Sequence, residues 1–114
     1  MNSGRESLLL EQIRREAEAC LAFFEGLDRE AYLSNGLVQH ATAMAVIVIG
    51  QAVGDLQRTC PDFAVAHPEI PWRDIVGMRN RIAHGYYALD FEVIWDTIHT
   101  SIPELLSALP PAED

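Results

Sequence analysis

Met44-Ala45-Val46-Ile47-Val48-Ile49 is the stretch on which the fold turns. Valine and isoleucine in succession suit a buried strand as well as a buried helix, and periodicity does not separate the two. Length does. The apolar character runs from Leu37 to about Thr59, much longer than an ordinary strand, and no other segment offers a partner strand. The stretch reads as a central helix, apolar on nearly every face and covered all round by other helices or by a second subunit. Its longest apolar run, Ala41 to Ala52, is interrupted by Thr42, Gly50 and Gln51, too short and broken to span a bilayer. No membrane partner is expected.

Working outward, Leu9, Ile13, Ala17, Cys20 and Phe24 recur at helical spacing with Glu and Arg between them. That pattern is an amphipathic first helix, closed by Gly26. Asp28-Arg29-Glu30 opens a connector with room for a single helical turn before Asn35-Gly36. Beyond the central helix, Cys60-Pro61 is a stop, and Asp62 to Pro71 reads as a loop with one turn around Phe63 to His67. Pro71 suits the first position of the next helix, where its missing N–H costs nothing. That helix runs from Trp72 to about His84, with Gly85 releasing the chain. A last helix starts at Asp90 as N-cap, with Phe91, Ile94, Trp95, Ile98, Ile102, Leu105, Leu106 and Leu109 as its stripe. Pro103 should kink it. Repeats and low-complexity tracts are missing, and nothing reads as a strand. The expected fold class is all-α: a compact bundle of four to five helices, one domain over 1–114.

At 114 residues, 49% hydrophobic and 22% charged, the composition is that of a globular chain. Met1-Asn2-Ser3-Gly4-Arg5-Glu6 lacks the charged-then-apolar plan of a signal peptide. Cys20 and Cys60 lack metal-ligand spacing and read as reduced thiols, so a cytoplasmic location is expected. A net charge of −9 disfavours a general nucleic-acid binder, because counterion release rewards basic surfaces. The distribution matters more. Arg73, Arg79 and Arg81 fall in one short stretch with a single acid, Asp74, so a small, site-specific anion contact stays open.

The stretch Trp72 to Gly85, followed by Tyr86, carries the chemistry-bearing types: guanidinium, imidazole and phenol near one helix terminus. Arg79 and His84 are five apart, roughly 140° of rotation on an ideal helix, so they share a face only if the helix frays or the arginine bends round. Asn80 and His84, four apart, stack on one face. An imidazole there suits a proton shuttle, and an arginine offers its planar fork to phosphate oxygens. Plainer readings stand beside this. A histidine before a C-terminal glycine is commonly a helix-ending residue, Arg73 a solvated side chain or an ion pair with Asp74, and Tyr86 and Tyr87 core plugs beside a turn. Trp72 and Trp95 read as core or a dimer surface. His40, His67 and His99 form no HxxxH or HExxH pattern, so no metal or cofactor is expected.

Arg79-Asn80-Arg81-Ile82-Ala83-His84-Gly85-Tyr86 resembles the R-x4-H-x-Y signature of HepT-like proteins, in the HEPN superfamily of all-helical domains. Pro68 to Trp72, Ile49-Gly50-Gln51-Ala52, Val93 to Ile98 and Pro103-Glu104-Leu105 extend the resemblance over most of the chain. It implies a HEPN-type bundle and a metal-independent ribonuclease, the toxin of a type II toxin–antitoxin pair. The partner implied is an MNT-type nucleotidyltransferase antitoxin. A homodimer is implied too, with two motifs meeting in one cleft over an RNA substrate. On this chain Arg79 would bind and polarise the scissile phosphate, and His84 would act as general base or acid. Asn80 would orient the histidine or contact substrate, Arg81 would support the motif, and Tyr86 would line the cleft and accept AMP. Gln51 departs from the pattern, since relatives usually carry Glu there. The competing reading is a non-catalytic dimeric subunit that binds the nucleotidyltransferase, or a nucleotide, through the same cleft.

Overall fold

The computed structural model describes residues 3–111, the side chains of Ser3 and Tyr86 excepted. Among these residues it is helical throughout, with no strand: α1 (Ser3–Phe23), α2 (Arg29–Leu33), α3 (Gly36–Thr59), α4 (Pro61–Ala66), α5 (Trp72–Gly85) and α6 (Phe91–Ala108). A short 3-10 turn, Tyr86–Ala88, links the last two. Four helices are long; α2 and α4 are the two single turns left open in the connectors, which makes the count six rather than four to five.

Local chemistry sets the boundaries. Gly26 takes φ 79, a left-handed conformation that glycine adopts without penalty, and so ends the α1 turn. Asp28, Asn35 and Asp90 each cap a helix by accepting backbone N–H groups, from Ala31, from Val38, and from Glu92 and Val93. Pro61 begins α4 at a position where its missing donor is not needed. Pro71 stands one step earlier than expected. Its carbonyl accepts the first α5 bond, from Ile75, so it is the cap residue rather than the first helical one. Gly85 differs as well: it stays inside α5 at φ −131, with no left-handed release, and the chain tightens directly into the 3-10 turn. Helix α6 continues through Pro103 to Ala108.

Helix α3 lies between α1 and α5 and packs on both. The α1 stripe (Leu9, Ile13, Ala17, Cys20) and the α6 stripe (Ile94, Ile98, Ile102, Leu105) are buried in one core with Ile49, Val53 and Leu56 of α3. By length and mean hydropathy of 1.5, the 24-residue α3 could cross a membrane, which the broken run Ala41 to Ala52 did not show; packing makes it the core helix instead. Within one chain it is not covered all round. Thr42, Ala45, Val46, Ile49 and Val53 are buried, whereas Leu37 and Met44 are 81% and 60% exposed.

An aromatic corner closes the end formed by α1, α2 and α6. Phe24 meets Tyr32 at 5.0 Å and Trp95 at 5.3 Å between ring centroids. The buried Tyr32 hydroxyl lies 2.9 Å from Thr42 Oγ1. Because Thr42 donates its own proton to the Val38 carbonyl at 2.9 Å, Tyr32 is the donor of the pair. Trp72 is fixed in turn: its Nε1 donates to the His67 carbonyl at 3.0 Å and its ring stands edge-on to Phe63. The loop before α5 is thereby pinned, and with it the start of the helix that carries the motif.

Candidate active site

Helix α5 crosses α3 at Gly50, and the crossing is tight. A Cβ on Gly50 would lie 2.2 Å from Arg79 Cβ and 2.6 Å from its Cγ, closer than side-chain atoms approach. Only glycine admits the Arg79 stem here. The stem so placed, the guanidinium lies along α3. One terminal nitrogen donates to Gln51 Oε1 at 3.0 Å and the other to Asn80 Oδ1 at 3.0 Å. Nε is buried with no hydrogen-bond partner. Each terminal nitrogen keeps one further N–H, because guanidinium carries five donors.

Both acceptors are neutral amides, so among the described residues no carboxylate compensates the Arg79 charge by contact. The nearby carboxylate is engaged elsewhere: Asp55 pairs with Arg58 at 2.6 Å and also accepts from Gln51 Nε2 at 3.3 Å. Gln51, Asp55 and Arg58 thus continue the polar line from Arg79 along one face of α3. Asp55 and Arg58 escaped the sequence reading, and Gln51 entered it only as a departure from the family's pattern; their spacing of four and three along α3 was the available signal. With Gly54 and Val76 they line a shallow groove of about 240 Å³ between the two helices.

His84 lies one turn beyond Asn80, exposed, and does not line that groove. The single chain therefore joins Arg79 and Asn80 and leaves His84 further along the helix. What sets His84 apart is its ring. His40, His67 and His99 each direct Nδ1 at the carbonyl four residues earlier, on Gly36, Phe63 and Trp95, at 2.7, 3.0 and 2.8 Å. A carbonyl only accepts, so in all three the proton is on Nδ1 and that nitrogen is engaged. His84 makes no such bond among the described residues. A proton shuttle needs a ring whose nitrogens are available.

The other motif residues separate. Arg81 is on the far flank of α5, lining the grooves toward α6. Arg73 is exposed and makes no ion pair with Asp74. Tyr87, 81% exposed, is no core plug. Tyr86 begins the 3-10 turn, but its side chain lies outside the described residues. Trp72 and Trp95 are partly buried against the core. Among the described residues no three His, Cys, Asp or Glu side chains gather into a metal-binding group.

Comparison with known proteins places the chain in a family. Residues 13–111 match the family model described as "Ribonuclease HepT-like". A Thermococcus cleftensis protein named as a probable ribonuclease HepT is 37% identical over 90 residues, covering 78% of this chain and 81% of its own. A candidate RNase of Caldanaerobacter subterraneus subsp. tengcongensis is 32% identical over 96 residues, covering 84% and 83%. No solved structure is a significant match. A match over residues 13–111 takes in both sides of the α3–α5 crossing and the whole motif helix, and the chain belongs to the HepT-like ribonuclease family.

Proposed function

We propose that this protein, as one HepT-like domain, is a metal-independent endoribonuclease in which two copies pair to form the cleft. The observation that carries the reading is a contrast among the described residues: an arginine held in place with no carboxylate against it, and five residues along the same helix the histidine whose ring nitrogens are unengaged. RNA brings its own nucleophile, so the protein has only to move protons and stabilise phosphoryl charge. One imidazole takes the 2′-hydroxyl proton, the 2′-oxygen bonds to phosphorus, and the P–O5′ bond breaks. A second imidazole, from the other copy, protonates the leaving 5′-oxygen, leaving a 2′,3′-cyclic phosphate. Arg79 contacts the non-bridging oxygens through its remaining N–H donors. Asn80, bonded to Arg79, and Arg81 support substrate binding. DNA lacks the 2′-hydroxyl and is spared.

In the cell this activity is that of a cytoplasmic toxin in a type II toxin–antitoxin pair. An MNT-type nucleotidyltransferase silences it by adding AMP to Tyr86. The test is digestion of RNA in EDTA by the parent, His84→Ala and Arg79→Ala proteins, with circular dichroism and sedimentation as controls. The expected result is cleavage by the parent alone; a folded His84→Ala protein that still cuts RNA overturns the assignment. Mass spectrometry after mixing with the partner and ATP locates AMP on the Tyr86 peptide or excludes it.

The second reading, a non-catalytic subunit that binds its partner or a nucleotide, is favoured by the exposed Leu37 and Met44 on α3 and by the net charge of −9. The same digestion separates the two, because a binding subunit leaves RNA intact.

A further inference from the structure

A second pocket, of about 270 Å³, opens between α5 and α6 on the side of α5 away from Arg79. Its floor is apolar and buried, made by Met78, Ile82 and Ile94. Tyr87 stands at the rim. Two opposite charges, Arg81 and Asp90, line this pocket, yet no ion pair joins them. Arg81 has no hydrogen-bond partner among the described residues. Asp90 uses Oδ1 to cap α6 by accepting from Glu92 and Val93 N–H, at 3.0 and 3.4 Å, and its other oxygen makes no bond there. The pocket begins at Gly85, the residue after His84. Glycine is not required there by backbone geometry, since φ is −131, and a Cβ would meet nothing within 4 Å. Its effect is to leave space.

We propose that this pocket binds the guanine base of the RNA nucleotide beside the scissile phosphate. The proposal rests on the ribonuclease reading, because the pocket's link to His84 through its chain neighbour Gly85 selects RNA as occupant. The volume lies below the roughly 300–1,000 Å³ common for larger ligands, which suits one planar base. An apolar floor with an aromatic rim is how proteins hold an unstacked base. The separated charges choose among the four. Guanine alone offers adjacent donors, N1–H and the 2-amino group, to a carboxylate, and O6 with N7 to a guanidinium on its other edge. Asp90 takes the first pair and Arg81 the second. Adenine and cytosine have one amino donor beside an acceptor, and uracil has no second donor.

The experiment has two arms. Oligoribonucleotides carrying one guanosine, and the same strands with inosine or adenosine in its place, are digested by the parent, Asp90→Asn and Val93→Trp proteins. Asparagine keeps the helix cap, and tryptophan at the half-exposed rim fills the pocket. Cleavage beside guanosine should exceed that beside adenosine or inosine by about 10-fold or more, and both variants should erase the preference. In parallel, GMP and AMP are titrated into the His84→Ala protein by NMR, with and without Asp90→Asn. GMP should bind at least about 10-fold more tightly, an advantage lost in Asp90→Asn. Cut sites indifferent to the base overturn the proposal while leaving the ribonuclease reading intact. If GMP is preferred but cut sites ignore the base, the occupant is a free nucleotide and the RNA assignment falls. If no RNA is cut yet GMP binds through Asp90, the ribonuclease reading fails and guanine recognition stands. Equal binding of GMP and AMP overturns the pocket.

Discussion

Two histidines, His99 midway along α6 and His84 at the end of α5, show how this fold divides its labour. His99 on α6 packs against Trp95 and Phe24, with centroid separations of 4.0 and 4.8 Å, and its Nδ1 is bonded to the Trp95 carbonyl. It belongs to the aromatic corner that also holds Tyr32 and joins three helices. His84 on α5 has no ring partner and no hydrogen bond among the described residues, and the helix that bears it crosses α3 tightly at Gly50. The corner uses its imidazole as a packing group. The α5 terminus keeps its imidazole free, and the helix is held further back, where Arg79 lies against Gly50. Residue type alone does not tell a structural histidine from an available one; the engagement of the ring does.

The sharpest way to break this contrast is to exchange the two. His84→Ala should reduce RNA cleavage by about 10²–10⁴-fold, the usual contribution of a positioned acid–base group, with an unchanged melting temperature. His99→Ala should do the reverse, leaving cleavage intact and costing about 0.5–1.5 kcal/mol of lost ring contacts in a denaturation curve. Cleavage that falls for both in step with stability would erase the distinction.

Next comes the crossing. Gly50→Val forces a side chain into space that Arg79 occupies and should cost about 1–3 kcal/mol or more, with loss of cleavage because Arg79 is displaced. Gly54→Ala, one turn along α3, is the matched control: its Cβ meets nothing within 4 Å, so helix propensity should make it neutral or stabilising by up to about 1 kcal/mol. Similar melting curves for the two would mean that the helices are not held so closely. Smaller still is Gln51→Leu. It removes one acceptor from Arg79 without introducing charge, and should weaken cleavage by about the 1 kcal/mol of one hydrogen bond while stability holds. A Michaelis–Menten comparison with the parent measures it.

The last prediction concerns two buried groups, Cys20 in the core and Tyr32 in the aromatic corner. Burial, with a smaller effect of Glu16, pushes the Cys20 thiol from 9.0 up to about 12, and burial raises the Tyr32 hydroxyl too, partly offset by its bond to Thr42. Both groups are held neutral in the folded chain, so the unfolded chain loses its protons first. Cys20 therefore contributes stability that is complete below pH 9 and is lost between there and about pH 12. Thermal melts across that window should fall more steeply for the parent than for Cys20→Ala. Below pH 9, iodoacetamide should label Cys20 far more slowly than an exposed thiol, since the thiolate is the reactive form.

Much of the fold was legible in the sequence for a local reason. Helical spacing in α1 and α6, caps such as Asp90 and the stop at Cys60-Pro61 are decided by neighbours within a turn, and chain order preserves them. The motif was legible for the same reason, since Arg79 to Tyr86 is contiguous. Less legible were the short α2 and α4, whose turns are too brief for periodicity to register, and the incomplete covering of α3, which depends on helices distant in sequence.

By itself, then, the sequence determined the helical class, the placing of the long helices and the residues proposed to carry the chemistry, because each rests on spacing along one segment. Only the tertiary structure decided what those residues are free to do. Gly50 has a purpose only once Arg79 is laid against it; Gln51 becomes the acceptor for a cation 28 residues away. Arg79 and Arg81, two apart in the chain, go to opposite flanks of α5, because successive helical positions point in different directions and different helices pack on each side.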